Sequence, residues 1–252
     1  MVKFMKTLQN CKVLENTPLT HDVYKMVLEN KTDWIHHPGQ FVNVTIEGQY
    51  LKRPISICDW TENSLTLIYK VVGKGTEIMS TKNPGDIMEI LTDLGNGFDT
   101  SKASDEVVLL GGGVGVPPMF GLAKQCIKEG KKVHVILGFA SEKDAFYLDE
   151  FKSLGVDLSV CTNDGSLGTK GFVTDVMKEK GLCDLFYMAC GPMPMLKAIY
   201  ATSNSNGLLS FEERMGCGFG ACMGCSCKTI TGYKRICVEG PVMESEDILW
   251  KD

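Results

Sequence analysis

Five of the chain's eleven cysteines, Cys217, Cys222, Cys225, Cys227 and Cys237, fall within a 21-residue window, where uniform scatter would put about one. Cys217-x4-Cys222-x2-Cys225, followed by Cys237, is the plant-type ferredoxin spacing for a [2Fe–2S] cluster: three close thiolates wrap one side and a distant one closes it. Gly216, Gly218, Gly220, Ala221 and Gly224 let the loop bend tightly and aim N–H groups at sulfur. The competing readings are a structural four-cysteine zinc site and a set of free buried thiols. Zinc knuckles favour paired C-x2-C, and the first spacing here is x4, so the iron–sulfur reading stands ahead. Cys227 follows Cys225 too closely to be the distant ligand, which leaves Cys237 in that role and Cys227 as a bystander.

A second set of residues suits a dinucleotide. Val107 to Leu110 is an apolar run ending in Gly111, Gly112, Gly113 and Gly115, with Pro117 and Pro118 opening a helix. Absent side chains let a pyrophosphate approach the free N–H groups of a helix start. The G-x-G-x-x-G fingerprint fails at its third glycine, where Pro118 stands, and a plain tight turn competes with the phosphate reading. Cys190-Gly191-Pro192-Met193 also follows a buried run and precedes a helix, placing it on the same carboxyl edge of a parallel sheet. A third set is Arg53-Pro54-Ile55-Ser56, Ile68-Tyr69-Lys70 and Gly75-Thr76. The chain has three arginines against 23 lysines, and the planar fork of Arg53 suits a pyrophosphate. Ser56 can bond a ring heteroatom, and Gly75-Thr76 can offer donors to phosphate. An exposed strand-end arginine and an ordinary glycine turn are the plain alternatives.

Other chemistries lack machinery. His21, His36, His37 and His134 show no ligand spacing, and neither a G-x-S-x-G elbow nor a Walker loop is present. No residue is assigned as catalytic, because the chemistry indicated belongs to cofactors.

The elements that must position these groups follow from periodicity. From Gln9 to about Leu91, short apolar or alternating runs (Val23–Leu28, Phe41–Ile46, Leu65–Val72) are separated by turn signals, with no convincing helix, and predict a small antiparallel barrel. A polar stretch, Asp99 to Asp105, marks a boundary. Beyond it, strands at Glu106–Leu110, Lys132–Phe139, Val156–Cys161 and Asp184–Ala189 alternate with helices at Pro118–Glu129, Ala145–Ser153, Val173–Lys180 and Met193–Thr202. That alternation predicts a parallel, helix-covered sheet. Leu208 to Glu213 suggests one more strand, and residues 217 to 252 are too few to fold around apolar side chains alone, so a metal cluster would supply the constraint. The divisions are 1–99, 100–207 and 208–252.

At 252 residues and 44% hydrophobic content the chain can build real cores. A formal charge of -5 without long single-sign blocks argues against nucleic acid as a partner. No stretch of about 18 apolar residues occurs, and no signal-peptide core, which predicts a cytoplasmic protein.

Taken in order, RPISI, VVGKGT, LGNGF, GGGVGVPPM, CGPMPML and EERMGCGFGACMGCSC resemble the ferredoxin–NADP reductase superfamily. Within it they are most similar to the electron-transfer subunits of NAD-dependent, class 1B dihydroorotate dehydrogenases, over essentially the whole chain. The resemblance implies an FAD-binding β-barrel domain (1–99), an NAD-binding α/β domain (100–207) and a [2Fe–2S] region (208–252). FAD would lie on Arg53, Pro54, Ile55, Ser56, Ile68, Tyr69, Lys70, Gly75 and Thr76. The nicotinamide nucleotide would lie on Gly111, Gly112, Gly113, Gly115, Cys190, Gly191, Pro192 and Met193, and the cluster on Cys217, Cys222, Cys225 and Cys237.

The resemblance further implies a dihydroorotate-oxidising partner subunit carrying FMN, two copies of each chain in a heterotetramer, and electrons delivered through [2Fe–2S] and FAD to NAD in de novo pyrimidine (UMP) biosynthesis. The segment Phe139 to Asp144 has no arginine for a 2′-phosphate, which favours NAD over NADP. With no pyrimidine site of its own, this chain alone is not expected to oxidise dihydroorotate. Two alternatives stay open: the reductase subunit of an NAD(P)H:ferredoxin oxidoreductase, hydrogenase or sulfide dehydrogenase, and a non-catalytic zinc-bearing assembly module.

Overall fold

The computed structural model describes residues 6–250. Six strands, β1 (Leu8–Pro18), β2 (Val23–Glu29), β3 (Phe41–Val44), β4 (Arg53–Trp60), β5 (Ser64–Lys70) and β6 (Ile87–Leu94), close into an antiparallel barrel in the order β1-β2-β5-β4-β3-β6. Alternation turns one face of each strand inward, so Val13, Met26, Val42, Ile57, Leu67 and Ile90 meet in the barrel core. The barrel segment does hold one helix, α1 (Lys74–Ser80), which the sequence pattern did not announce. Seven residues are too few to display an amphipathic period. The β5 strand also stops at Lys70, two residues short of the expected Val72, where the chain turns into α1.

The second unit alternates β7 (Glu106–Gly112), α2 (Val116–Lys128), β8 (Lys132–Phe139), α3 (Leu148–Ser153), β9 (Asp157–Thr162), β10 (Thr169–Lys170), α4 (Val173–Glu179), β11 (Phe186–Cys190), α5 (Met193–Thr202) and β12 (Gly207–Ser210). After these come a hairpin, β13 (Ser226–Thr229) and β14 (Gly232–Arg235), and a last strand, β15 (Val242–Glu244). The large sheet runs β10-β9-β8-β7-β11-β12-β15, parallel except for the antiparallel β12–β15 pair. Chain order reverses between β7 and β11, which makes the crevice above their carboxyl ends the place for a ligand. Helix α3 begins three residues later than the sequence suggests, because Tyr147 before it sits at φ 65.

The two units share a core: Val23, Cys58 and Ile68 of the barrel cluster with Met119, Phe120 and Leu122 of α2. Gly121 permits this approach, since a Cβ there would lie 2.8 Å from the Cys58 carbonyl oxygen. Asn96 stitches a second seam, its amide nitrogen donating to the Val242 carbonyl at 2.7 Å and its oxygen accepting from Val242 N–H at 3.0 Å.

The C-terminal segment is less independent than its length suggested. β15 extends the large sheet, Phe211 N–H donates to the Pro241 carbonyl, and Ile236, Val242 and Met243 are buried. Tertiary packing therefore supplies much of the constraint expected from a metal cluster alone.

Candidate functional site

A cleft of about 370 Å³ opens where the barrel meets the carboxyl edge of the sheet. Barrel residues Phe41, Pro54, Ser56 and Lys70 line one wall; Gly112 to Gly115 and Cys190 to Pro192 line the opposite one. The two glycine-bearing turns meet because β7 and β11 pair in register, Gly111 against Cys190. Gly115 makes the meeting possible: a Cβ there would lie 2.2 Å from the Cys190 carbonyl oxygen. Burial pushes the Cys190 thiol up to about 12, so it lines the cleft as a neutral group. A second pocket of about 470 Å³ shares Gly112, Gly113 and Pro192 with the first and continues past Phe139, Phe172 and Met195. Through those shared residues the two form one groove with a common waist.

Strand alternation divides the barrel residues singled out in the sequence. Pro54, Ser56 and Lys70 reach the cleft, whereas Ile55 and Tyr69 turn into the barrel core and Ile68 packs into the core shared with α2. Tyr69 is anchored there, its hydroxyl donating to Asn16 Oδ1 at 3.0 Å. Lys70 pairs with Asp22 at 2.9 Å. The Arg53 guanidinium packs on Gly75, where a Cβ would lie 2.4 Å from Arg53 Nε, and Thr76 stands one residue further. The Thr76 hydroxyl is engaged locally, accepting from Val72 N–H at 3.0 Å and donating to the Gly73 carbonyl at 3.0 Å. In the sheet, Gly111 is buried beneath the turn against Val116 and Leu137, and Met193 is outside both linings at the start of α5.

The lining also includes residues that carried no assignment in the sequence, among them Phe41, Phe211, Glu212, Glu213 and Met215. For the last four the signal was positional. A parallel strand at β12 delivers the residues after it to the same carboxyl edge as the glycine turns.

Met215 leads directly into the cysteine loop. There Ala221 and Cys222 N–H groups donate to Cys217 Sγ at 3.2 and 3.4 Å, and Gly224 N–H donates to Cys222 Sγ at 3.5 Å. Burial opposes ionisation of Cys217, but N–H donation from Cys222, Phe219 and Ala221 and the Cys222 side chain hold its thiol down at about 6. Cys225 and Cys237 face each other with sulfurs 3.3 Å apart, and burial, with Cys225 beside it, pushes the Cys237 thiol up to about 12. The thiols thus stand as two pairs, Cys217 with Cys222 and Cys225 with Cys237. Among the described residues no three His, Cys, Asp or Glu side chains are disposed to share a single ion. Two pairs fit a two-iron cluster, which takes two thiolates at each iron, better than one tetrahedral ion. Cys227 is turned to Met243, 3.9 Å from its sulfur.

A closed antiparallel barrel, a glycine-edged parallel sheet and a cysteine loop at the end of their common cleft define an FAD- and NAD-binding iron–sulfur oxidoreductase of the ferredoxin–NADP reductase type. Residues 109–200 match the model of the oxidoreductase NAD-binding domain, and residues 212–249 match that of the iron–sulfur cluster binding domain of dihydroorotate dehydrogenase B. The chain belongs to the electron transfer subunits of dihydroorotate dehydrogenase B (NAD(+)). It is 44% identical to the subunit so named from Fusobacterium nucleatum over 96% of this chain and 98% of that one, and 42% identical to that of a Geobacillus species over 94% and 96%. Among solved structures, a chain of an NADH-dependent reduced ferredoxin–NADP oxidoreductase superposes with a TM-score of 0.85 at 27% identity, covering 99% of this chain and 92% of that one. A ferredoxin NADP+ reductase from Neisseria gonorrhoeae shares the fold, with a TM-score of 0.67 at 17% identity over 77% of this chain and 89% of that one. Among the described residues no helix is long and apolar enough to cross a membrane.

Proposed function

We propose that this chain takes electrons from a dihydroorotate-oxidising partner subunit and delivers them to NAD+, serving de novo pyrimidine biosynthesis. The observation that carries the reading is the continuity of the site: Met215, two residues before Cys217, lines the same cleft as the glycine turns and Ser56. When bound, a [2Fe–2S] cluster supplies one-electron exchange, FAD converts between one- and two-electron steps, and NAD takes up hydride.

The chain's own residues supply placement. Arg53 with Gly75 and Thr76 holds the FAD pyrophosphate, while Pro54, Ser56 and Lys70 hold the flavin ring at the cleft wall. Ile55, Ile68 and Tyr69 contribute backbone there, their side chains being spent on the two cores. Gly112, Gly113 and Gly115, with Cys190 to Pro192, admit the nicotinamide end; Gly111 and Met193 support those turns from below and behind. Cys217, Cys222, Cys225 and Cys237 ligate the two irons.

The cysteine loop also meets the partner. Cys222 is exposed, and Phe219 and Met223 beside it are about half exposed, an apolar rim around the thiols. Dihydroorotate gives up two electrons together, so a partner that feeds a one-electron centre needs a group that passes both one and two electrons, a role we assign to FMN in that subunit. Two copies of each chain make the complex. The reductase-subunit alternative, with ferredoxin or hydrogenase as partner, has weaker support: 27% identity to the ferredoxin–NADP oxidoreductase chain against 44% to a dihydroorotate dehydrogenase subunit.

The test is anaerobic purification of the native complex through a tag on this chain. NAD+ reduction driven by dihydroorotate, with a co-purifying FMN protein and a mass of two plus two chains, is the expected result. A coloured complex inert to dihydroorotate would sink the pyrimidine role, and dihydroorotate turnover by this chain alone would overturn the division of labour.

A further inference from the structure

Barrel strand β3 touches both halves of the electron path. Phe41 lines the cleft, and Asn43, two residues on and therefore on the same face, stands in register with the cleft residue Pro54. The Asn43 side chain is wholly buried, and its amide nitrogen donates to the backbone carbonyl of Cys217 at 3.4 Å. The loop is shaped to accept this contact. Gly218, at φ +76, has no side chain where a Cβ would lie 2.4 Å from Asn43 Nδ2. The amide oxygen of Asn43 is also buried and has no hydrogen-bond partner among the described residues. An unsatisfied buried acceptor is costly, and an apolar residue would fill the space without that cost. The one hydrogen bond the side chain makes among the described residues is the one its nitrogen gives to the cysteine loop.

We propose that Asn43 is a positioning residue for electron transfer, its amide clamping the Cys217 end of the cysteine loop to the barrel wall and so setting the separation between the flavin cleft and the cluster. This rests on the cofactor placement proposed above. Asn43 touches neither chemistry directly; it acts through the backbone of the first cluster ligand, as outer-shell partners of metal ligands do.

The experiment uses the full complex carrying Asn43→Asp, Asn43→Leu or Gly218→Ala. Asn43→Asp keeps the size, loses the donor and sets a carboxylate against the Cys217 carbonyl. Gly218→Ala attacks the same contact from the loop side, so it decides the matter should the buried substitutions not fold. The readouts are the EPR spectrum and midpoint potential of the cluster, iron loss to a chelator, and the flavin-to-cluster transfer rate after mixing with NADH. NADH reduction of a dye and FAD content report on the barrel. Expected are an altered EPR spectrum, a shifted potential, and chelation faster and transfer slower by about tenfold to a hundredfold, with dye reduction within about twofold of the parent. Parent-like EPR, chelation and transfer rates in all folded variants would overturn the proposal. Equal loss of dye reduction and FAD would overturn it too, by showing Asn43 to be a barrel residue only. A parent complex that binds no cluster would instead defeat the cofactor placement itself.

Discussion

Cys225 Sγ lies 3.3 Å from Cys237 Sγ although the two are twelve positions apart in sequence, and the β13–β14 hairpin is the reason. Pairing of Ser226 with Arg235 sends the chain out and back, and Ile236 N–H donates to the Cys225 carbonyl at 3.1 Å to close the return. An eleven-residue interval that looks like an open loop in sequence is a two-stranded spacer that delivers the distant thiol.

This geometry separates Cys237 from its neighbour Cys227. Cys237→Ser is expected to abolish the cluster, and Cys227→Ser, which removes only a contact with Met243, to retain it. Iron and sulfide content together with the EPR signal of the NADH-reduced protein checks this; cluster retention in Cys237→Ser and loss in Cys227→Ser would reverse the assignment. Cys222→Ser should likewise remove the cluster and partner-linked transfer, while NADH reduction of a dye partly survives.

The Arg53–Gly75 contact makes a paired prediction for flavin binding. Arg53→Ala removes a charge-assisted donor to phosphate, worth about 2 kcal/mol, or roughly thirtyfold in FAD affinity. Gly75→Ala should weaken FAD as well without touching a charge, because its Cβ would land 2.4 Å from Arg53 Nε and displace the guanidinium. Titration of the apoprotein with FAD, followed by flavin fluorescence, reads both. Unchanged affinity in both variants would remove the pyrophosphate from this corner.

Coenzyme choice is expected to lie just beyond the far part of the groove, where Asp164 follows the lining residue Asn163. Asp164 Oδ1 accepts from the Ser166 hydroxyl at 2.6 Å and from its N–H at 3.0 Å, and the Ser166 hydroxyl in turn accepts from Glu142 N–H at 2.7 Å. Donation from the Ser166 side chain and backbone holds the Asp164 carboxyl below its ordinary value, so it is ionised at neutral pH. Such a carboxylate repels a 2′-phosphate. Asp164→Ser should raise kcat/KM for NADPH by roughly tenfold, with a smaller change for NADH. An unaltered NADH to NADPH ratio would place the discrimination elsewhere.

At the opposite edge of the sheet His134 bridges two carboxylates, Asp157 through Nδ1 at 2.7 Å and Glu106 through Nε2 at 2.8 Å. Hydrogen bonds from Lys132 to Glu106 and Lys180 to Asp157, then those from His134, lower both carboxyls from 4.5 and 3.8 respectively. A depressed carboxyl stabilises the fold fully above its unfolded value and loses that contribution as the pH falls through the folded one. Thermal stability should therefore decline from just above pH 4 downward, and the Glu106→Gln, Asp157→Asn double variant should show a shallower decline. Parallel stability curves for the two proteins across that range would remove the triad from acid unfolding.

The parts of this protein that depend on local pattern were legible from residues alone. The barrel strands, the β–α alternation, the glycine turn after β7 and the ferredoxin-like cysteine spacing all express short-range rules: side-chain period, turn chemistry and ligand count. What stayed hidden shares one cause, distance along the chain. Helix α1 is too short to show a period. The division of Ile55 and Tyr69 from Pro54, Ser56 and Lys70 needs the barrel to define inside and outside. Phe41 and Phe211 become walls of one cleft only because the start of β3 and the end of β12 come together across the two units.

The sequence by itself determined which cofactors the chain is built for, because thiol number and spacing, glycines at a strand end and a rare arginine among many lysines are chemical requirements written in residue types. Only the tertiary structure decided how these parts address one another. The return of Cys237 to Cys225, the Asn43 link from barrel to cysteine loop and the joining of β15 to β12 are contacts between segments distant in the chain, settled by burial of apolar faces and satisfaction of backbone hydrogen bonds in the whole molecule.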